Sequence, residues 1–161
     1  MRRLVLFVCA LLLAASPAFA QTFTLQERTL VLSAATTTAV VPVRGEAAVI
    51  LLDIVTITTA DGDDEVDFYV QTTYDGTSWV DLANVHVATA DDGTTQKTVV
   101  VIGSPAAGIA QLDDPTDGTL ADDTNADIPM GIALRIKTAI TGATAPSYAF
   151  IAKGLWTGDL R

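Results

Sequence analysis

Carboxylates that could hold a metal ion are concentrated in two short stretches of the chain. The first stretch contains Asp61, Asp63, Asp64, Glu65 and Asp67, and the second contains Asp113, Asp114, Asp117, Asp122, Asp123 and Asp127. Calcium prefers such ligands, since it binds about six to eight oxygens from carboxylates and carbonyls. We therefore predict calcium as a cofactor, although Gly62 and Pro115 interrupt the spacing of an EF-hand loop. The alternative is that these residues form turns and add charge to soluble loops.

Four aromatic residues suggest a different kind of site, a platform on which a sugar ring stacks. They are Tyr69, Tyr74, Trp79 and Trp156. Carbohydrate-binding β-sandwiches use such rings when several share one exposed face. The same rings also serve as core or hairpin packing. A secreted carbohydrate-binding module, with a glycan as partner, is therefore the second function that the residues suggest.

Catalytic side chains are scarce in this sequence. His86 is the single histidine and lies in a predicted strand with no serine motif beside it, so a Ser-His-Asp triad is not indicated. Cys9 is the single cysteine and falls in the N-terminal apolar segment, so no Cys–His zinc site is expected in the rest of the chain. We predict that the protein is not an enzyme and that His86 is an ordinary strand residue.

The first 20 residues predict export. Arg2 and Arg3 precede an apolar run over 4–15, and Ala18-Phe19-Ala20 follows, which is the pattern of a cleavable signal peptide. The run is shorter than the roughly 20 residues that a helix needs to cross a bilayer. We expect residues 1–20 to be removed, so that the mature protein begins at Gln21, is secreted or held at the cell surface, and has no membrane contact.

Cleavage makes the protein strongly acidic. Without Arg2 and Arg3, seven Lys and Arg residues face 19 Asp and Glu residues, which is a net charge of −12. Nucleic acid is excluded as a partner because phosphate binding depends on clustered Lys and Arg. Residues 21–161 contain no cysteine, and a chain of this length buries enough surface to form one domain without disulfides.

Strand-forming residues dominate this domain, which has only three Lys and three Glu. Gly, Asp and Pro divide it into about eight predicted strands: 22–32, 37–43, 47–59, 66–73, 78–87, 97–102, 132–141 and 147–156. A long acidic loop over 103–130 interrupts the series, and such loops are often functional. The pattern predicts an all-β fold, an eight-stranded antiparallel sandwich of the jelly-roll type.

Three local patterns refine this prediction. Asp75-Gly76 predicts a tight hairpin turn, because Gly accepts positive φ. Residues 66–71 alternate apolar and polar, which predicts a strand with one buried and one solvent-facing side, and the phase shift near Ala83-Asn84 in its partner predicts a β-bulge. Residues 49–52 are apolar throughout, which predicts a strand centre covered on both faces.

The hairpin resembles one in tailed-phage structural proteins, where a Q-T-S-x-D-G-x-x-W-x-D signature joins two strands. Here residues 66–82 read VDFYVQTTYDGTSWVDL. Residues 117–124, 131–137 and 145–150 are similar to the second half of the same family, in which a G-D-R-L-R-V-K strand precedes a P-S-F-T-F strand. Ile132-Ala133 stands where that family usually has Asp and Arg. The resemblance implies a β-sandwich structural subunit of virion or decoration type, here in an exported version.

These observations together predict a non-catalytic structural subunit. We expect a homo-oligomer or polymer that forms an extracellular filament, a sheath or a particle-surface array. The N-terminal segment 22–43 is rich in strand formers and is predicted to pair with an open edge of a neighbouring subunit. Calcium is expected to contribute to this assembly.

Overall fold

The structure, a computed structural model, describes residues 21–27, 32, 34–58, 64–87, 96–103, 116–126, 128–142 and 147–158. The predicted signal peptide lies outside these residues. The regular elements of the described part are all strands, and it contains no helix that could span a membrane. The strands are β1 (Thr22–Gln26), β2 (Val41–Pro42), β3 (Ala47–Thr58), β4 (Glu65–Thr73), β5 (Trp79–Val87), β6 (Gln96–Ile102), β7 (Ala133–Thr141) and β8 (Ser147–Thr157).

These strands form two four-stranded antiparallel sheets that pack face to face. Sheet A has the order β1-β8-β3-β6, and sheet B has the order β2-β7-β4-β5. The chain therefore pairs with itself in a nested order, because β4 pairs with β5, β3 with β6, β2 with β7 and β1 with β8. This is the jelly-roll arrangement, so the predicted fold class is confirmed.

The core lies between the sheets and is centred on aromatic rings. Phe68 of β4 contacts Tyr148 and Phe150 of β8 edge-on, with ring centroids 5.8 and 5.2 Å apart, and all three side chains are fully buried. Near the edge of sheet A, Phe23 stacks on Trp156 with centroids 4.2 Å apart. Such contacts bind β1 and β8 to each other and connect β8 to sheet B.

The β4–β5 hairpin has the predicted turn and the predicted bulge. Gly76 adopts a φ of 80°, and the Asp75 carboxylate accepts hydrogen bonds from the backbone N–H groups of Thr77 and Ser78. Ala83 pairs with Val70 but Asp81 pairs with Gln71, so Leu82 is the extra residue of the bulge. The bulge lies within two residues of its predicted place. It sets which polar residues of the two strands face each other.

Two predictions about strand faces are wrong. The centre of β3 is covered on one side only: Ile50 is fully buried in the core, whereas Leu51 is 42% exposed on the outer side. Conversely, the polar side of β4 does not face solvent, since Tyr69 is 5% exposed and Gln71 is fully buried. Alternation of apolar and polar residues distinguishes the two faces of a strand. Whether each face is buried depends on which segments of the chain lie over the sheet.

The N-terminal segment pairs within its own chain. β1 lies beside β8 and β2 beside β7, while Leu32 and Thr37 form isolated bridges to Tyr148 and Lys137. The two strands are shorter than predicted. The segment that was predicted to pair with a neighbouring subunit is thus already hydrogen-bonded to its own domain.

The close contact of β1 with β8 leads to a prediction about Gly154. A Cβ atom at this position would lie 2.4 Å from the ring of Phe23, so the ring would have to leave its stack on Trp156. We expect Gly154→Ala to lower the free energy of unfolding by about 1–3 kcal/mol in urea denaturation. Gly103→Ala is the matched control, because a Cβ there has no atom within 4 Å. Equal losses in both variants would contradict this packing.

Candidate functional site

The outer face of sheet B carries a buried set of polar side chains. Because side chains alternate along a strand, three residues of β4 share this face with three of β5. The opposed pairs are Asp67 and His86, Tyr69 and Asn84, and Gln71 and Asp81. All except His86 are buried, and His86 is half-buried. Residues 116–126, which we call the covering segment, lie over them.

The covering segment hydrogen-bonds to the edge of β5. The N–H groups of Asp81 and Asn84 donate to the carbonyls of Thr116 and Thr124, each at 2.9 Å. In return, the N–H of Ala126 donates to the carbonyl of Leu82 at 2.8 Å. These bonds occupy backbone groups that an edge strand would otherwise expose, so β5 is protected from pairing with another chain.

The buried Asp81 carboxylate accepts hydrogen bonds from the backbone of the covering segment. This carboxylate accepts two bonds from the N–H of Gly118, at 2.8 and 2.9 Å, and further bonds from the N–H groups of Thr119 and Leu120, at 3.2 and 3.3 Å. Gln71 Nε2 donates to the same carboxylate at 2.7 Å. Asp81 is 1% exposed, and a buried carboxylate is stable in a fold when its oxygens are satisfied in this way.

A second set of contacts runs from Gln71 across sheet B. Gln71 Nε2 also donates to Asp117 Oδ1 at 2.9 Å, and Arg135 Nε donates to Gln71 Oε1 at 2.8 Å. Lys137 Nζ lies 2.9 Å from Asp117 Oδ1. Hydrogen bonds from Lys137 and Gln71 lower the pKa of Asp117. The Arg135 guanidinium lies 4.1 Å from the ring centroid of Trp79, a cation–π contact that covers the indole.

At the other end of this face, His86 lies between two carboxylates. Its Nδ1 is 3.0 Å from Asp67 Oδ1 and 3.6 Å from Asp122 Oδ1. Burial by itself lowers the pKa of His86, but the hydrogen bond to Asp67 and the charge of Asp122 outweigh it, so the pKa is raised. Burial and the charges of these carboxylates and Asp81 raise the pKa of Tyr69 to about 12. The ligand atoms of Asp67, His86 and Asp122 all lie within 4.8 Å of one another.

The outer face of sheet A has the opposite character. It carries the apolar patch, which we define as Val49, Leu51, Val99, Val101 and Leu155. Leu51 lies opposite Val99, and Val49 lies between Val101 and Leu155. Val99 and Val101 are each 59% exposed on β6. Among the described residues, no segment of the chain lies over this patch.

The predicted calcium ligands that the structure describes lie at several separate places. Asp61, Asp63, Asp113, Asp114 and Asp127 lie outside the described residues. Asp64 is buried against Gly142, and Glu65 lies at the start of β4, opposite Thr141. In the covering segment, Asp117 pairs with Lys137 and Asp123 Oδ1 accepts the N–H of His86 at 3.2 Å. Of the predicted ligands, Asp67 and Asp122 lie together with His86 in a described group of side chains that could hold a metal ion.

The structure also separates the four aromatics that were predicted to bind sugar. Trp156 is 2% exposed in the core, and Tyr69 is buried beneath the covering segment. Trp79 is half-buried under Arg135, and Tyr74 is exposed, with its hydroxyl donating to the carbonyl of Pro129. The four rings therefore do not share an exposed face.

Comparison of the chain with protein-family models, with curated proteins and with solved structures finds no match. What the fold and its sites define is a class of protein, an acidic jelly-roll domain with a covered polar face on sheet B and exposed apolar side chains on the outer face of sheet A. The sequence signal for His86 was only that of a strand residue. Its partnership with Asp67 depends on strand register, and its contact with Asp122 depends on the covering segment.

The burial of Asp81 leads to a prediction about the covering segment. Asp81→Asn replaces one acceptor oxygen by a donor, which faces backbone N–H groups that also donate. We expect the free energy of unfolding to fall by about 3 kcal/mol and the amides of residues 118–120 to exchange faster with solvent. Hydrogen exchange measures both effects. Asp75→Asn is the control, since its bonds lie in the exposed β4–β5 turn, and unchanged exchange at 118–120 in Asp81→Asn would contradict the assignment.

The pair of Asp117 and Lys137 predicts a pH dependence. Because the pKa of Asp117 is lowered in the fold, its contribution to stability is present above the ordinary pKa of about 4 and is lost as pH falls through the lowered value. Lys137→Met should therefore raise the pH at which acid loosens the covering segment, as followed by NMR. The effect should shrink in high salt, since Asp117 is 57% exposed. Lys97→Met, on sheet A, should leave the segment unchanged.

Proposed function

We propose that the protein is a non-catalytic, exported structural subunit that assembles with further copies of itself through sheet A. The observation that carries the proposal is the apolar patch on the outer face of that sheet. Exposed apolar patches with a polar rim are typical of protein–protein contacts. The chain is strongly acidic, so a surface free of unpaired negative charge is the region where two copies approach with least repulsion.

The carboxylates at the rim of the patch are paired with lysines. Lys97 Nζ lies 3.1 Å from Asp53 Oδ2, and Lys153 Nζ lies 3.2 Å from Glu27 Oε2. Both of these carboxylates thus have a lysine partner on the same surface. Charged residues remain at the edge and apolar residues in the centre, which is the distribution that favours a buried contact.

The edge of sheet A supports association by strand pairing. Among the described residues, the backbone of β6 is hydrogen-bonded to β3 on one side, and no partner contacts its other side. β1 forms the opposite edge of the same sheet. Sheet B differs, because the covering segment occupies part of the β5 edge. Strand addition is therefore directed to sheet A, at β6 on one edge and at β1 on the other.

The β6 edge can pair with a strand from a second copy of the chain. If β6 of one copy pairs in phase with an edge strand of the next, the two sheets become continuous and the apolar patches lie side by side. Pairing of β6 with β6 closes as a twofold dimer, whereas pairing of β6 with β1 continues as a filament. We propose the continuing form, as the basis of an extracellular filament, sheath or particle-surface array.

The fold is compatible with this role, since jelly rolls form viral capsid domains as well as lectins. The separation of the four aromatics gives the carbohydrate-binding alternative no such support. Because the proposed contact is apolar, we expect assembly to occur with and without calcium.

The assembly proposal predicts the behaviour of a chain that starts at Gln21 and retains every described strand. It should show a mass that rises with concentration in sedimentation velocity, and electron microscopy should show extended particles. Val99→Lys should weaken association by about tenfold or more, because a charged lysine on an edge strand disfavours pairing with another chain.

Val40→Lys is the matched control, since Val40 is exposed to a similar extent, 55%, but lies outside sheet A. A parent chain that stays monomeric at all concentrations, in calcium and in chelator, would overturn the proposal. Equal weakening by the two variants would overturn the assignment to sheet A, and a closed dimer would overturn the filament.

A further inference from the structure

We infer that Asp67, His86 and Asp122 form a binding site for a divalent first-row transition metal of the Zn²⁺ type. The group joins three parts of the fold, because Asp67 belongs to β4, His86 to β5 and Asp122 to the covering segment. This site is independent of the contact proposed for sheet A, since it lies on the outer face of sheet B.

The positions of the ligand atoms match such a metal. With bonds of about 2.0–2.2 Å in a tetrahedron, neighbouring ligand atoms lie about 3.3–3.5 Å apart. His86 Nδ1 lies 3.0 Å from one carboxylate oxygen and 3.6 Å from the other. One nitrogen therefore faces both carboxylates at distances on either side of this spacing, and the exposed Asp122 side chain has room to move.

A second observation points to a ligand at this place. Asn84 is 2% exposed and follows Asp67 on the same face, with its Nδ2 donating to Asp67 Oδ1 at 3.2 Å and to the carbonyl of Leu120 at 3.0 Å. These two acceptors fix the orientation of the amide. Its other atom, Oδ1, is buried and has no hydrogen-bond partner among the described residues. Buried acceptors are normally satisfied, so this oxygen, which the amide turns away from Asp67, indicates a further hydrogen-bond donor such as a water next to the site.

The donor set selects the class of metal. Calcium and magnesium take oxygen ligands, whereas an imidazole nitrogen with two carboxylates suits zinc and its neighbours. The competing explanation is that a proton on His86 Nδ1 bridges the two carboxylates and that no metal binds. Proton and metal compete for the same nitrogen atom, so the two explanations make different predictions.

The site is tested with an untagged chain starting at Gln21, stripped with chelator and titrated with Co²⁺ and Zn²⁺ alone. We expect one ion per chain, visible absorption bands of Co²⁺ in a low-symmetry site, and a shift of the ring resonances of His86, the single histidine, in NMR. His86→Gln and Asp122→Asn should each weaken binding by about tenfold or more.

The matched control is Asp75→Asn, which removes the same charge at the β4–β5 turn, at the other end of the hairpin from Asp67 and His86. It should retain binding. Asp122 is 64% exposed, so its variant folds even if His86→Gln does not. Absence of binding, or equal binding by the parent and Asp122→Asn, would overturn the site, and equal weakening by Asp75→Asn would show adventitious binding to acidic residues only.

Discussion

The buried carboxylate of Asp81 is the constraint on which the rest of the polar face depends. A charge at this depth is tolerated only when its oxygens are hydrogen-bonded, and the donors are the successive N–H groups of 118–120 together with Gln71. Satisfying Asp81 therefore requires the covering segment to lie on the outer face of sheet B. Once it lies there, it buries Asn84 and Asp67, occupies the edge of β5 and brings Asp122 to His86.

The two sheets consequently have different outer surfaces. Sheet B uses its outer face to hold a segment of its own chain through polar contacts. Sheet A presents Val99 and Val101 to solvent, and among the described residues no backbone partner pairs with the outer edge of β6. Backbone pairing at an edge strand is thus satisfied within the chain at β5, whereas the described part of the chain leaves it open at β6.

The division also separates the acidic character of the chain from its proposed contact surface. Acidic side chains of the covering segment have defined local partners, as with Asp117 and Lys137 or Asp122 and His86. They hold this segment in place as well as adding charge to a loop. The apolar patch is bordered by Asp53 and Glu27, each paired with a lysine. Negative charge is thus balanced by lysine at these two positions beside the apolar patch.

The sequence by itself determined the fold class, the order of the strands, the β4–β5 turn and the neighbourhood of the bulge. These features depend on local alternation of apolar and polar residues, on the positive φ of Gly76 and on the hydrogen bonds of Asp75 within the turn. They can therefore be predicted from neighbouring residues. Only the tertiary structure decided which faces are covered. The exposure of Leu51, the burial of Gln71 and the contact of Asp122 with His86 depend on which distant segments of the chain pack together. The types of neighbouring residues do not specify that packing.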